Sequence, residues 1–319
     1  MSVTALRITS AWENPEEVVD LIRSAGPFWP LANYAASDAE MAALGSQRTT
    51  FTPPWFRQDF ARQGEILVPG AEAMLANERF ITAAQDLCGG KESVIRPQAV
   101  YVNIMGPTPF SFPPHLDIPA FRGFTRETQP VWLLKMMKTS GLFERWRTRI
   151  ATCVSWFYDG PGGDFLYWPD GPSGPMALEA APFRNVGVIA DNEATFHGVA
   201  ALGPPGPTMV EGLTRDSRLL RTEAGWDVTD GDGGVQASLA DSDVRLTVSW
   251  KADLFTNADE ATLHDRGDDT LSLETVVDLF HDDLTRRGIS IQRPREPLAD
   301  QPWISALAGT YQDPAPRIH

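Results

Sequence analysis

Cysteine is scarce in this chain. Only Cys88 and Cys153 occur in 319 residues, and they show neither a close pair nor a zinc-type spacing. A disulfide framework is therefore excluded as the source of stability, and a cytoplasmic location is the expectation. Basic residues are outnumbered, 27 Lys and Arg against 42 Asp and Glu, for a formal net charge of −15. That balance disfavours nucleic acid and anionic membrane surfaces as partners, although a local arginine pocket can still receive an acidic small molecule. No apolar run approaches the ~20 residues of a membrane span. The first residues, Met1-Ser2-Val3-Thr4-Ala5-Leu6, lack a basic stretch followed by an apolar one, so no signal peptide is expected. Internal repeats are missing, and nothing in the sequence sets the oligomeric state. Histidine is rare too, at five residues, which keeps the search for metal ligands short.

Hydrophobic residues make up 42 % of the chain, and ten tryptophans are among them. A chain of this size and composition buries a substantial core. Residues 1–93 read as a mostly helical N-terminal part. Pro15-Glu16-Glu17 is a helix start, with proline and acidic side chains in the first turn. Residues 38–44 and 71–87 are further helix candidates. Near Val94 the texture changes. Residues 98–105, 152–158, 164–168, 185–190, 194–200 and 244–255 read as short strands separated by Gly- and Pro-rich turns, a sandwich or jelly-roll pattern. Residues 131–150 read as helical, with Gly141 as a break. Residues 203–243 are polar, rich in Gly and Asp, and read as an insertion hairpin or lid. Residues 272–287 form an amphipathic helix, followed by a Pro-rich tail. The expected fold is mainly β with flanking helices: one domain with a jelly-roll core over 94–255, a helical N-terminal part, and a C-terminal helix and tail over 256–319.

His115-Leu116-Asp117 carries the chemistry. Its setting, Phe112-Pro113-Pro114-His115-Leu116-Asp117-Ile118-Pro119, is extended, and on an extended segment residues i and i+2 share a face. An imidazole and a carboxylate so placed can bind one metal ion, and a second histidine completes a 2-His-1-carboxylate triad. Chance alone supplies about 0.7 such matches in a chain of this composition, so context must decide. The other match, His281-Asp282-Asp283, lies among Leu273, Val276, Val277, Phe280 and Leu284, which have helical spacing. On a helix, i and i+2 lie about 200° apart and cannot chelate together. His281 and Asp283 are therefore expected to be surface residues. Of the remaining histidines, His319 is terminal and His264 sits in a charged loop. His197, eighty residues after Asp117 on a strand-like segment with small neighbours, is the expected third ligand.

Residues 244–251 alternate cleanly. Arg245, Thr247, Ser249 and Lys251 share one face; Val244, Leu246, Val248 and Trp250 share the other. The polar set either faces solvent or aims Arg245 and a hydroxyl into the barrel, where a guanidinium can hold a carboxylate through two parallel hydrogen bonds.

The ordered set His115-x-Asp117, His197 and Arg245-x-Thr247 resembles the Fe(II)/2-oxoglutarate-dependent dioxygenase superfamily over residues 98–255. The resemblance implies that His115, Asp117 and His197 bind iron and that Arg245 and Thr247 hold the distal carboxylate of 2-oxoglutarate. It also implies that Tyr101 and Asn103 reach the co-substrate from the first core strand. The gap of 48 residues from His197 to Arg245 is longer than usual in that family, which leaves Lys251 and Arg218 as alternative anchors; the 203–243 insertion accounts for the length. Halogenating members replace the carboxylate ligand with a small residue, so Asp117 favours hydroxylation or a related oxidation that consumes O2 and releases succinate and CO2. The expected substrate is a small-molecule metabolite. Phe110, Phe112, Phe121, Tyr167, Arg122, Trp132, Phe157 and Trp168 are candidate pocket residues. The last four are the chosen substrate contacts, with Arg122 as an anion contact. Two other readings stand: a cupin-like metal dioxygenase without a co-substrate, and a non-catalytic jelly-roll binding protein.

Overall fold

The computed structural model describes residues 4–34, 53–204, 206, 209–312 and 316. Its strands are β1 (Ala5–Ile8), β2 (Trp29–Pro30), β3 (Trp55–Arg62), β4 (Glu65–Ile66), β5 (Val94–Met105), β6 (Phe112–His115), β7 (Ala120–Phe121) and β8 (Arg147–Tyr158). They continue with β9 (Phe165–Trp168), β10 (Ala177–Glu179), β11 (Phe183–Ala190), β12 (Phe196–Val199), β13 (Arg218–Arg221), β14 (Trp226–Thr229), β15 (Val235–Leu239) and β16 (Arg245–Phe255). The helices are α1 (Pro15–Ser24), α2 (Glu72–Leu75), α3 (Glu78–Cys88), α4 (Val131–Ser140), α5 (Ala258–Arg266), α6 (Leu273–Arg286) and α7 (Gln301–Thr310).

The large sheet runs β1-β11-β8-β16-β5-β3-β2, with β4 on β3 and β7 on β8; the small sheet runs β10-β9-β12-β6. Both are antiparallel in the pairings that build the site. The two pack face to face as an open jelly roll. Met105, Val154, Trp156, Val186 and Val188 of the large sheet share one core with Phe165 of the small sheet, and Tyr167 and Val199 pack on its margin.

Period-two alternation gives the large sheet two buried faces. Val100, Val102, Ile104, Leu246, Val248 and Trp250 point outward, where Val18 and Ile22 of α1 and Phe80, Ala84 and Leu87 of α3 cover them. Each such side chain removed from water stabilises the fold by about 1.5–3 kcal/mol before the entropy of ordering is counted. Asn77 caps α3 by accepting from the backbone N–H groups of Arg79 and Phe80, and it splits the expected 71–87 helix into α2 and α3. A second core gathers α4, α6 and α7 through Leu133, Leu134, Met137, Val276, Phe280, Leu284, Trp303 and Leu307.

Several sequence expectations are corrected here. The N-terminal part is less helical than expected, because β1 and β3 extend the large sheet. The 38–44 helix candidate lies outside the described residues. The 131–150 segment is helical only to Ser140; Gly141 closes it in the left-handed conformation, and Arg147 begins the long strand β8. Residues 301–310 are helical despite the Pro-rich setting, with Asp300 as the cap and Pro302 in the first turn. The 203–243 insertion is a three-stranded meander, β13-β14-β15, anchored to the body by Leu219, Trp226 and Val228 in the outer core. No helix among the described residues is long and apolar enough to cross a membrane.

Candidate metal centre

His115 and His197 face each other across the small sheet, in register between β6 and β12, with ring centroids 4.3 Å apart. Gly198 permits this close approach, because a Cβ there would lie 2.8 Å from the Phe112 carbonyl oxygen. Asp117 follows two residues beyond His115, pinned by its backbone N–H to the Asn192 carbonyl at 2.9 Å. The three ligand atoms converge within 4.8 Å of one another. Asp117 Oδ1 lies 3.6 Å from His197 Nε2 and 4.0 Å from His115 Nε2.

Both imidazoles are oriented the same way. His115 Nδ1 donates to the Pro113 carbonyl at 2.9 Å, and His197 Nδ1 donates to the Thr195 carbonyl at 3.0 Å. With Nδ1 protonated, each Nε2 keeps its lone pair for a metal. Burial, together with the neighbouring His197, pushes the His115 pKa down to about 3, so its ring is neutral at ordinary pH. Asp117 is held below the usual carboxylate range: Lys251 and the two imidazoles overcome the opposing effect of burial. Two imidazoles that present Nε2 and one carboxylate suit a divalent transition metal with open coordination positions.

Lys251 is the feature the sequence did not assign here. Its Nζ donates to Asp117 Oδ2 at 2.7 Å, and the Asp117 carboxylate keeps its pKa above the ordinary lysine value against the opposing effect of burial. The signal was present in the alternation, since Lys251 lies on the same face of β16 as Arg245, but its partner is 134 residues away.

The polar face of β16 points inward, so the solvent-face alternative is excluded. Arg245 is 1 % exposed, Thr247 6 % and Ser249 4 %. Register places Asn103 beside Thr247 and Tyr101 beside Ser249. Arg245 Nη1 donates to Thr247 Oγ1 at 2.8 Å and approaches Met105 Sδ at 3.7 Å. Its Nε and Nη2 are buried with no hydrogen-bond partner, and so is Asn103 Oδ1. The guanidinium lies over the rings of Trp156 and Phe183, at 5.6 and 5.3 Å. Burial pushes its pKa down to about 9, against the favourable but weaker influence of Asp164 and Tyr158. A contiguous path of rings joins this cation to the metal ligands: Trp156 to Phe165 at 5.0 Å, and Phe165 to His197 at 5.9 Å. Gly163 makes room for the arginine stem, since a Cβ there would lie 2.9 Å from Arg245 Cδ.

Of the alternative anchors, Arg218 sits on the meander over the Trp29 ring, and Lys251 is committed to Asp117. Tyr101 and Asn103 share the interior face; the Tyr101 ring lies under the Arg57 guanidinium at 3.8 Å, and Arg57 is itself paired with Asp59.

The four expected substrate contacts are not brought to the ligands. Arg122 is tied to Asp269 at 2.9 Å and to the Arg145 carbonyl. Trp132 packs on the second core. Phe157 pairs with Leu246 on the outer face, under the N-terminal helices. Trp168 is in register with Phe196, so it lies on the face of the small sheet opposite His197; its neighbour Tyr167 is in register with His197 instead. In each strand the alternation sent the adjacent residue, Trp156 or Tyr167, inward. The expectation that His264 lies in a loop is likewise corrected, since it is on α5. Asp283 is buried rather than superficial, and accepts from Tyr311 and Arg287 at 2.6 Å each.

A cleft of about 440 Å³ opens beside two of the three candidate ligands, His115 and Asp117, in the ordinary size range for small-molecule sites of ~300–1,000 Å³. His115, Asp117, Glu193 and Phe196 form one wall; Lys135, Lys138 and Thr139 of α4 and Tyr311 beyond α7 are on another.

No family model matches the sequence, and no curated protein matches it. Solved structures do show similar folds. One is an oxidoreductase of the 2OG-Fe(II) oxygenase family from Burkholderia pseudomallei, 11 % identical, matching 78 % of this chain and 84 % of that one with a TM-score of 0.42. A prolyl hydroxylase from Trichoplax adhaerens, in complex with a hypoxia inducible factor peptide fragment, is 11 % identical over 82 % and 87 % of the two chains, TM-score 0.41. HygX from Streptomyces hygroscopicus, with nickel, 2-oxoglutarate and hygromycin B bound, is 10 % identical over 79 % and 83 %, TM-score 0.35. What this site can do is decided by its own side chains.

Proposed function

We propose that this protein is an Fe(II)/2-oxoglutarate-dependent oxygenase that oxidises a small molecule. The observation that carries the reading is Arg245. A guanidinium that is 1 % exposed, with Nε and Nη2 unpartnered, is costly to bury unless an anion completes it. Those two donors match the fork geometry with which arginine holds a carboxylate. Thr247 Oγ1 orients the third nitrogen, and the orphaned Asn103 Oδ1 lies on the neighbouring strand of the same face. A dicarboxylic 2-oxo acid fits this arrangement, one end on Arg245 and the other toward His115, Asp117 and His197.

When bound, iron and 2-oxoglutarate supply the oxidising power: O2 is consumed, the 2-oxo acid becomes succinate and CO2, and the substrate is oxidised. The chain's own residues do the rest. His115 and His197 present Nε2 because their Nδ1 protons are held by carbonyls. Asp117 presents Oδ1 because Lys251 holds Oδ2. Trp156, Phe165 and Phe183 keep water from the co-substrate chamber.

The test is an anaerobic titration of the iron-loaded protein with 2-oxoglutarate, followed by oxygen-dependent succinate release. Saturable binding that is lost in Arg245→Met, and iron binding lost in His115→Ala, are expected. Iron binding without any 2-oxoglutarate binding would overturn the reading in favour of a metal dioxygenase that needs no co-substrate.

A further inference from the structure

Two of the three candidate ligands are steadied by one turn, residues 191–195, which joins β11 to β12. The Asn192 carbonyl accepts the Asp117 backbone N–H at 2.9 Å, and the Thr195 carbonyl accepts from His197 Nδ1 at 3.0 Å. The turn is closed on itself. The Asp191 carbonyl accepts from the backbone N–H groups of Ala194 and Thr195 at 3.0 and 2.8 Å, and Asp191 Oδ1 accepts from the Glu193 N–H at 3.2 Å. Asn192, Glu193 and Thr195 are all buried.

A single side chain ties this turn to the large sheet. Arg147 Nη2 donates to both oxygens of Asp191, at 2.6 Å each, and Arg147 Nε and Nη2 each lie 3.4 Å from Glu193 Oε2. Such charge-assisted bonds are about twice as strong as neutral ones. The Arg147 and Glu193 side chains are almost wholly buried, so salt screens the cluster little. Arg147 also lies 3.8 Å from Glu144, whose side chain is half exposed. Arg147 opens β8, where its backbone is in register with Phe121 of β7, shortly after Asp117 in the chain. One residue therefore spans the site: its main chain lies beside the segment that follows Asp117, and its side chain grips the turn that precedes His197. The sheets leave this place for a clamp, because β11 leaves the large sheet at Ala190 and β12 enters the small one at Phe196.

We infer that Arg147 is a positioning residue of the metal centre: through Asp191 and Glu193 it fixes the turn whose Asn192 and Thr195 carbonyls set the direction of Asp117 and of His197. This rests on the reading of His115, Asp117 and His197 as metal ligands. With the turn held, Asp117 and His197 are aimed before any ion arrives. With it loose, both must be ordered at the moment of binding, and affinity falls accordingly. The clamp is separate from Lys251, which acts on the Asp117 carboxylate from β16.

Arg147→Met alone would strand two buried carboxylates, a strongly destabilising change. The triple variant Arg147→Met/Asp191→Asn/Glu193→Gln removes the clamp and leaves no buried charge unpaired. Asp191→Asn is the milder companion, since its amide oxygen still accepts the Glu193 N–H. Nickel affinity is read by calorimetry, and amide hydrogen exchange at Asp117 by NMR in the metal-free protein. The triple variant should bind nickel about tenfold more weakly, the lower end of what groups that orient metal ligands contribute. Its Asp117 amide should exchange at least about tenfold faster, while the amides of the β5–β16 ladder keep wild-type rates. The absorption spectrum of the cobalt(II)-loaded variant should shift, a signature that a general loss of stability does not produce. Asp191→Asn should show the same changes in smaller measure. Arg147→Lys, which keeps the charge but not the fork, should fall between wild type and the triple variant. Wild-type nickel affinity and cobalt spectrum in the triple variant and in Asp191→Asn overturn the inference. Exchange that accelerates equally in the β5–β16 ladder also overturns it, because the effect is then global. If the wild-type protein binds neither nickel nor cobalt, the metal reading fails instead, and Asp117 exchange in the metal-free variants still decides whether Arg147 holds the turn.

Discussion

Asp117 is divided between two tasks: Lys251 Nζ takes Oδ2 at 2.7 Å, and Oδ1 faces His197 Nε2 at 3.6 Å. One oxygen is therefore anchored to the large sheet through β16, and the other is left for the metal that the proposed function requires. This makes Lys251 a positioning residue. Groups that orient metal ligands commonly account for 10–100-fold in affinity. Lys251→Met is expected to weaken divalent metal binding by about that factor, and Lys251→Arg to recover part of it. Calorimetric titration with nickel measures it. Wild-type affinity in Lys251→Met would show that the β6–β12 segment alone orients the carboxylate.

Arg245 sets function against stability. Its buried charge lacks a carboxylate partner, so the metal-free, ligand-free protein carries an uncompensated desolvation cost. Replacing such a group with an apolar one of similar length is often stabilising, by about 1–4 kcal/mol. Arg245→Met is thus expected to raise the melting temperature of the free protein and to weaken 2-oxoglutarate binding by about 2–3 kcal/mol. Thermal melts with and without 2-oxoglutarate report both effects. A lower melting temperature in the free variant would mean that the stem's packing against Trp156 and Phe183 outweighs the charge.

Gly163 is expected to be intolerant of a side chain. Its φ is +69°, and a Cβ would lie 2.5 Å from Leu202 Cδ1 as well as 2.9 Å from Arg245 Cδ. Gly163→Ala should cost about 1–3 kcal/mol through backbone strain and overpacking, and should also displace the guanidinium. Chemical denaturation gives the first effect and 2-oxoglutarate titration the second. Loss of stability with unchanged binding would show that the anchor re-seats itself.

The metal-free protein should lose stability in acid through the metal centre. His115 is held near a pKa of about 3 in the folded state, against 6.5 for an ordinary histidine. Between those values the unfolded chain binds a proton that the folded chain does not, so stability falls as pH is lowered through that window. Asp117 acts in the same direction: its folded pKa lies below the usual carboxylate value of 3.8, so its contribution is lost as pH falls below that value. Melting temperatures of chelator-treated protein between pH 7 and pH 4 should decline, and His115→Gln should flatten the upper part of the decline. An unchanged slope in the variant would assign the acid sensitivity elsewhere.

The convergence of the candidate ligands was legible because its information is local. The spacing of His115 and Asp117 on a Pro-flanked segment and the alternation of Arg245 and Thr247 are period-two patterns, and strands preserve such patterns whatever they pack against. The same rule, applied to single residues, would have turned Phe157 and Trp168 away from the ligands and Trp156 and Tyr167 toward them.

What the sequence alone determined, then, is the strand-rich core, the candidate His-Asp-His constellation and the alternation that puts Arg245 and Thr247 on one face; that this face points inward was decided by the packing. What only the tertiary structure decided is everything that depends on contacts between distant segments. Lys251 meets Asp117 across 134 residues, Asp269 claims Arg122 across 147, and α4 brings Lys135 and Lys138 to the cleft beside His115. Side-chain periodicity is a property of the backbone within one element. The partner of a charge is set by how elements dock, and no local pattern records that.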